Sequence, residues 1–150
     1  MDDRVLDLSR QLDGTPERVF LAMTEPGQLA EWWGPAGFTT PEVSLQARVG
    51  GRYRLGMQPP GGDLFHLAGE FLVVQPPHHL VYTFLWEEPD PDDRETVVAL
   101  SLVERGGTTD LTMTQGDFTT PARLELHRNG WSDSLSRLQD HLGRADGRAR

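Results

Sequence analysis

The chain contains no cysteine and no lysine among its 150 residues. Without cysteine it has no disulfide, no thiolate nucleophile and no cysteine-ligated metal ion. Without lysine it cannot form a Schiff base through a side chain of its own. These two absences exclude whole classes of covalent and metal-dependent catalysis.

Positive charge and long apolar runs are also scarce. Fourteen basic residues, all arginine, face 23 acidic residues, and the formal net charge is −9. Nucleic-acid affinity depends mainly on basic side chains, so we expect no nucleic-acid partner. The longest uninterrupted runs of aliphatic or aromatic residues, such as Phe71–Val74, span four residues, far fewer than the ~20 that cross a bilayer. The start, Met1-Asp2-Asp3-Arg4, does not resemble a secretory signal, so we expect a cytoplasmic protein with no membrane partner.

Turn-forming residues divide most of the chain into segments of strand length. Within these segments apolar and polar residues alternate, which predicts antiparallel strands with one face on a core and one in water. The predicted inward positions are Val43, Leu45, Ala47, Val49, Tyr53, Leu55, Met57, Val98, Leu100, Leu102, Leu111 and Met113.

Three segments have helical signals instead. Thr15-Pro16 and Thr120-Pro121 each place a capping hydroxyl before a proline, as at a helix start. A second short helix is predicted from Pro26 to Trp33. The longest helix is predicted to end at Gly143, leaving residues 144–150 as a flexible tail. Its apolar stripe is predicted to consist of Leu124, Arg128, Trp131, Leu135, Leu138 and Leu142.

The order of these elements predicts an α+β fold. A first strand, two short helices, about six further strands and one long helix form a single domain over residues 1–143. The long helix must then cover one face of a curved antiparallel sheet. The acidic segment Glu87–Glu95 is predicted to be a solvated hairpin tip that lies outside any cavity.

Several segments, in this order, resemble the SRPBCC (START-like, helix-grip) superfamily. More narrowly, they resemble the subfamily named after the activator of heat shock protein 90 ATPase. The matching segments are Thr15–Phe20, Leu29–Pro35, Val49–Arg54, Gly69–Phe71 with Leu80–Trp86, and His127–Trp131.

The resemblance implies a helix-grip fold, in which a curved antiparallel sheet wraps around the long C-terminal helix and two short helices follow the first strand. It also implies a cavity between sheet and helix. Members of the superfamily include carriers of hydrophobic ligands, polyketide cyclases, co-chaperone domains and proteins that intercept reactive natural products. Fold alone does not choose among these functions.

Candidate ligand-binding residues are the large side chains expected to face that cavity, together with one histidine and one arginine. Arg10 shares its strand face with Leu6 and Leu8, so it can meet a ligand carboxylate or pair with an internal acid. Each aromatic candidate can equally be ordinary core, and His127 can be a packing residue. The candidates are Arg10, Trp32, Trp33, Phe38, Tyr53, Phe71, Tyr82, Phe84, Met113, His127, Trp131 and Leu135.

No catalytic residue, metal site or cofactor is predicted, because no nucleophile elbow, phosphate-binding loop or metal-binding helix motif is present. The leading hypothesis is non-catalytic binding of a hydrophobic or amphipathic small molecule. One alternative is a stress-related co-chaperone with a chaperone partner. The other is a cyclase-like enzyme or sacrificial protector, for which His127, Arg10 and Tyr53 should converge. The sequence permits a homodimer without requiring one.

Overall fold

The computed structural model describes residues 4–148, which form one seven-stranded antiparallel sheet and three helices. The strand order is β1-β7-β6-β5-β4-β3-β2, so β1 returns to pair with the last strand. The elements in chain order are β1 (Leu6–Leu12), α1 (Pro16–Thr24), α2 (Pro26–Trp32), β2 (Thr39–Leu45), β3 (Arg52–Gln58), β4 (Phe65–Gln75), β5 (His79–Trp86), β6 (Thr96–Arg105), β7 (Thr108–Gly116) and α3 (Pro121–Arg148).

The two short helices begin where they are predicted to, at Pro16 and at Pro26. The Thr15 hydroxyl accepts a hydrogen bond from the Arg18 amide at 3.3 Å, and Pro16 occupies the first turn of α1. The Glu25 carboxylate caps α2 in the same way, accepting from the Gln28 amide at 3.1 Å. Each cap satisfies an amide that the helix itself leaves unpaired. The chain therefore turns twice in a short distance between β1 and β2.

The predicted alternation is confirmed in β3, β6 and β7, whose inward side chains are buried. The predicted alternation is wrong beyond Leu45, because β2 ends at that residue. Val49, which is predicted to face inward, is 69% exposed. A tight turn replaces the strand there, with the Gly51 amide donating to the Arg48 carbonyl at 2.8 Å. A Cβ on Gly51 would lie 2.0 Å from the Gln46 carbonyl oxygen, so only glycine fits this turn.

One position of the predicted α3 stripe is wrong. His127, not Arg128, is buried, while Arg128 is partly exposed and pairs with Glu125 at 3.2 Å. Both positions lie one turn from Leu124, so periodicity alone allows either. Burying a neutral imidazole costs less than burying a guanidinium, and this decides the helix rotation. The remaining buried positions of the stripe are Leu124, Trp131, Leu135, Leu138 and Leu142.

The predicted end of α3 at Gly143 is also wrong, because the helix continues to Arg148. Gly143 does not adopt the positive φ of a glycine cap, so it lies inside the helix. Of the predicted tail, residues 144–148 continue the helix and residues 149–150 lie outside the described residues. None of the helices within residues 4–148 is long and apolar enough to cross a membrane.

Replacing Gly143 with alanine should stabilise the protein. Glycine inside a helix is less favourable than alanine by about 1 kcal/mol, and a Cβ at Gly143 meets no atom within 4 Å. We expect Gly143→Ala to raise the free energy of unfolding by about 0.5–1 kcal/mol in urea titrations. A loss of stability would show that Gly143 caps the helix instead of lying inside it.

Candidate functional site

Two neighbouring cavities lie between the inner face of the sheet and α3. The larger, here called the main cavity, has a volume of about 410 Å³ and is bounded by β3, β4, β5, α3 and the loop after β5. The smaller, here called the inner cavity, has about 30 Å³ and lies beside α1 and α2. Trp33 and Trp131 line both cavities and separate them.

Aromatic rings form most of the apolar part of the wall of the main cavity. Phe38 meets Phe65 edge to face, with ring centroids 6.2 Å apart, and Phe84 meets Trp86 in the same way at 5.2 Å. Such contacts hold the rings in fixed orientations. Met57 completes this apolar wall. The main cavity is therefore a preformed space with one apolar, largely aromatic side, and it is large enough for a small molecule.

The inner cavity is too small for a ligand. Tyr53, Phe71 and Tyr82 pack against one another with centroid distances of 5.3 to 5.9 Å and fill most of the space. The Tyr53 hydroxyl donates to the Thr83 carbonyl at 2.6 Å. Burial raises the pKa of both tyrosines well above the ordinary value, so both stay neutral. These three candidates are core residues of the sheet in this structure.

Trp33 differs from its tryptophan neighbours in its hydrogen bonding. Trp32 Nε1 donates to the Ala22 carbonyl at 2.9 Å, and Trp131 Nε1 donates to Gln115 Oε1 at 2.8 Å. Trp33 is 7% exposed, and its Nε1 is the one buried side-chain polar atom without a hydrogen-bond partner in the described part of the chain. An unpaired buried donor costs free energy, so the burial of Trp33 is less well compensated than that of Trp32 and Trp131.

The segment that carries Trp33 is fastened to α3. Arg137 Nη1 donates to the carbonyls of Trp33, Gly34 and Pro35 at 3.3, 3.0 and 3.1 Å. From the same helix, Ser134 Oγ accepts from the Gly34 amide at 3.1 Å. Gly34 has a φ of 109°, a conformation that favours glycine. This turn therefore fixes the wall between the two cavities.

His127 lies in the wall of the main cavity with both ring nitrogens occupied. Nδ1 donates to the Arg123 carbonyl at 2.8 Å, and Nε2 accepts from Trp86 Nε1 at 3.2 Å. This pattern requires the neutral imidazole. Burial lowers the pKa of His127, which favours the same form. His127 thus orients Trp86 and has no free nitrogen with which to act as a base.

The acidic segment, here called the acidic loop (residues 87–95), lies across one side of the main cavity. Arg123 pairs with Asp90 at 2.7 Å and with Asp93 at 3.6 Å, and the Asp93 side chain is only 8% exposed. Glu88, Asp90 and Asp93 line the cavity. The prediction that this segment lies outside the cavity is therefore wrong, because Arg123 in the first turns of α3 draws it inward.

His66, at the start of β4, holds the start of the acidic loop to the sheet. Its Nδ1 lies 3.1 Å from Glu88 and its Nε2 lies 3.1 Å from Glu42. The hydrogen bond to Glu88 raises the pKa of His66. His66, Glu87 and Glu88 offer ligand atoms within 4.8 Å of one another, a spacing that suits a metal ion. Because Arg54 binds Glu87 at 2.8 Å and protein partners satisfy the histidine, the cluster is complete without a metal.

The remaining candidates do not meet in one site. Met113 and Leu135 are fully buried core residues that line neither cavity. Arg10 is partly exposed and donates to Ser136 Oγ on α3 at 3.3 Å, so it pairs with a hydroxyl and not with an acid. Tyr53, His127 and Arg10 therefore do not converge.

Sequence reasoning missed Phe65, Trp86 and Arg123 as cavity residues. Phe65 pairs with Met57 on the neighbouring strand, and paired residues face the same side of the sheet. Because Met57 is predicted to face inward, the register of these two strands would have identified Phe65 as an inward residue. Trp86 ends a strand that is apolar on both faces, which hides its orientation. Arg123 has no signal in the sequence, because its partners lie some 30 residues away in a loop.

A sheet that wraps around a long C-terminal helix, with two short helices after the first strand, defines the helix-grip class, the SRPBCC superfamily. The family model described as "Activator of Hsp90 ATPase homolog 1-like protein" matches residues 13–143, and the chain belongs to this family. The predicted fold class and family are both confirmed.

Solved structures of bacterial proteins have the same fold. A protein of Nitrosomonas europaea is 25% identical, with a TM-score of 0.82 over 98% of this chain and 99% of that one. A protein of Chromobacterium violaceum is 28% identical, with a TM-score of 0.82 over 91% and 95%. The AHSA1 protein of Silicibacter pomeroyi is 27% identical, with a TM-score of 0.81 over 94% and 99%. None of the curated proteins matches this chain.

His66 and His127 should affect stability with opposite pH dependence. The folded-state pKa of His66 is raised, so its contribution is fully present below about pH 6.5 and is lost as pH rises through the folded pKa. The pKa of His127 is lowered, so its contribution is present above about pH 6.5 and is lost as pH falls.

We therefore expect His66→Gln to lower the free energy of unfolding more at about pH 6 than at about pH 9. His127→Gln should show the reverse and serves as the matched comparison. Urea denaturation of each variant and of the unaltered protein at both pH values measures this. The same pH dependence for both variants would contradict the assigned protonation states.

Proposed function

We propose that this protein binds a hydrophobic or amphipathic small molecule in the main cavity without catalysing a reaction on it. The observation that carries the proposal is a cavity of about 410 Å³ walled by aromatic rings between the sheet and α3. Its volume lies within the roughly 300–1,000 Å³ usual for ligand sites. Apolar walls with a few polar groups at the rim are also usual for such sites.

The hydrogen bonding of the polar side chains supports binding over catalysis. His127 has both nitrogens in use, and Tyr53 donates to the Thr83 carbonyl in the core of the sheet. Arg123 is held by Asp90 and Asp93. A general base needs a free nitrogen or oxygen within reach of the substrate. His127, Arg10 and Tyr53, the residues that an enzyme would bring together, do not provide one in a shared site.

A bulky side chain introduced on α3 tests whether ligands bind in the main cavity. Gly130 lines the main cavity, and a Cβ built there has only Pro35 Cγ within 4 Å, at 3.9 Å. We expect the neutral probe N-phenyl-1-naphthylamine to bind saturably, and Gly130→Phe to weaken its affinity at least tenfold by occupying the space. Fluorescence titration measures both.

The matched control is Gly143→Phe, which adds the same side chain to the same helix at an exposed position. This variant should bind the probe as the unaltered protein does. Saturable binding that Gly130→Phe leaves unchanged would place the ligand elsewhere. The absence of saturable binding of any apolar probe would remove the proposed function.

A second candidate is interaction with a chaperone, which the family match favours, since the family model is named for an activator of the Hsp90 ATPase. The name describes other members of the family. The test is the ATPase rate of an Hsp90-type chaperone from the same organism with and without this protein. Stimulation that persists in Gly130→Phe would support the interaction as a function separate from the cavity.

A further inference from the structure

We propose that the main cavity selects its ligand by charge and binds a cationic amphipathic molecule more tightly than an anionic one of the same shape. Asp90 and Asp93 of the acidic loop set this preference, because they neutralise Arg123, the one guanidinium among the described residues that line the cavity. This inference rests on the proposed small-molecule function and specifies its ligand. It requires no contact with one particular protein atom, because charges act across the width of the cavity.

Acidic groups outnumber basic groups on the wall of the main cavity. The wall carries one guanidinium and four carboxylates. They belong to Arg123, Glu88, Asp90, Asp93 and Asp133. His127 also lines the cavity but is neutral, because its Nε2 accepts a hydrogen bond from Trp86. His66 contacts Glu88 and offsets one carboxylate when it is protonated. The wall is therefore negative by two or three charges, according to the charge on His66.

Arg123 does not act as a positive site for an anionic ligand. Its Nη2 lies 2.7 Å from Asp90 and its Nη1 lies 3.6 Å from Asp93. The acidic loop holds these two aspartates together, since the Asp90 amide donates to Asp93 Oδ2 and the Asp93 amide donates to the Asp90 carbonyl, both at 2.9 Å. Two carboxylates on one guanidinium leave this group of three with a net negative charge.

Arginines that adjoin the cavity wall are engaged as well. Arg137 donates to the carbonyls of the turn after α2 at 3.0 to 3.3 Å. Arg54 pairs with Glu87 at 2.8 Å, and Arg94 pairs with Asp117 at 3.1 Å. A ligand carboxylate would therefore have to compete with an existing partner for each of these cations, after losing its own water.

The size of the cavity lets its wall charges act on any bound ligand. Charges in salt solution are screened over about 10 Å at 0.1 M, which is comparable with the width of a compact space of about 410 Å³. A bound carboxylate would lie within this distance of an excess of like charges, whereas a bound ammonium would lie among opposite charges. The apolar part of either ligand packs against the same aromatic side, so the charge decides between them.

Three naphthalenes of matched shape test this selection. The probes are 2-(2-naphthyl)ethylammonium, a cation, 2-naphthylacetate, an anion, and 2-(2-naphthyl)ethanol, which is uncharged. Each competes with bound N-phenyl-1-naphthylamine, and dissociation constants come from the loss of its fluorescence. At about pH 8 and about 20 mM salt, we expect the cation to bind the unaltered protein at least about tenfold more tightly than the anion.

Salt provides a test in the unaltered protein alone. If the preference comes from charges on the wall, about 0.5 M salt screens it. The ratio of the two dissociation constants should then fall below about threefold, while the affinity of the uncharged alcohol falls no further than that of the fluorescent probe.

Replacing the two aspartates assigns the selection to them. Asparagine keeps the shape of aspartate and one acceptor oxygen but removes its charge. In Asp90→Asn with Asp93→Asn, Arg123 is no longer neutralised, and the anion should bind at least about tenfold more tightly than it binds the unaltered protein. Adding Arg123→Gln to this variant should remove the gain. Asp90→Asn alone, at a side chain that is 66% exposed, should give a smaller gain in the same direction if the double variant does not fold.

The matched control changes the same number of charges away from the cavity. Glu104→Gln with Asp110→Asn removes two negative charges where β6 meets β7, and it also frees an arginine, because Asp110 pairs with Arg105. Neither Glu104 nor Asp110 lines the main or the inner cavity. The ratio between cation and anion should stay within about twofold of that of the unaltered protein.

The outcomes separate this inference from the proposed function. If the fluorescent probe does not bind saturably, the proposed function fails. If the probe binds but the anion competes as well as the cation, or salt leaves their ratio unchanged, selection by charge is overturned while the binding function stands. A preference that survives the loss of both aspartate charges, or a gain for the anion that survives Arg123→Gln, overturns the role of Asp90 and Asp93.

Discussion

The attachment of the turn after α2 to α3 is the interaction on which the cavities depend. Arg137 contacts three successive carbonyls of this turn, and Ser134 and Asp133 bind two of its amides. A single guanidinium that satisfies three carbonyls is well suited to hold irregular backbone, because its donors form a rigid planar group. Together with the packing of its ring on Trp32 and Trp131, this attachment keeps Trp33 between the two cavities.

The same sheet and helix therefore create two different environments. On the side of α1 and α2, tyrosine and phenylalanine rings close the space to about 30 Å³. On the other side, the sheet and α3 leave about 410 Å³ between them, and the acidic loop crosses that side. Ion pairs fix this loop: Arg123 binds Asp90 and Asp93, His66 binds Glu88, and Arg54 binds Glu87. Part of the excess of acidic residues in the chain therefore lies at the rim of the main cavity.

Much of the fold can be predicted from the sequence because its signals are local. The caps at Thr15 and Thr120 act within three residues, with hydroxyl to amide distances of 3.3 and 3.1 Å. Period-two alternation likewise predicts which side of β3 and β7 is buried. Such features depend on neighbours along the chain and need no knowledge of the tertiary structure.

The site is harder to predict because its contacts join distant parts of the chain. Arg123 and Asp90 are 33 residues apart, so no local pattern predicts that the acidic loop lies over the cavity. The choice of His127 over Arg128 depends on what the sheet presents to the helix, an aromatic wall with Trp86 as a donor. The unpaired Trp33 N–H is visible only when all the neighbours of that indole are known.

The most direct test of ligand binding in the main cavity is to follow the indole N–H signals in a nitrogen-15 correlated NMR spectrum. The chain has four tryptophans and therefore four such signals. On addition of saturating N-phenyl-1-naphthylamine, the signals of Trp33, Trp86 and Trp131, which line the main cavity, should shift by more than the signal of Trp32, which does not line it. Four unmoved signals, or a shift confined to Trp32, would contradict ligand binding in the main cavity.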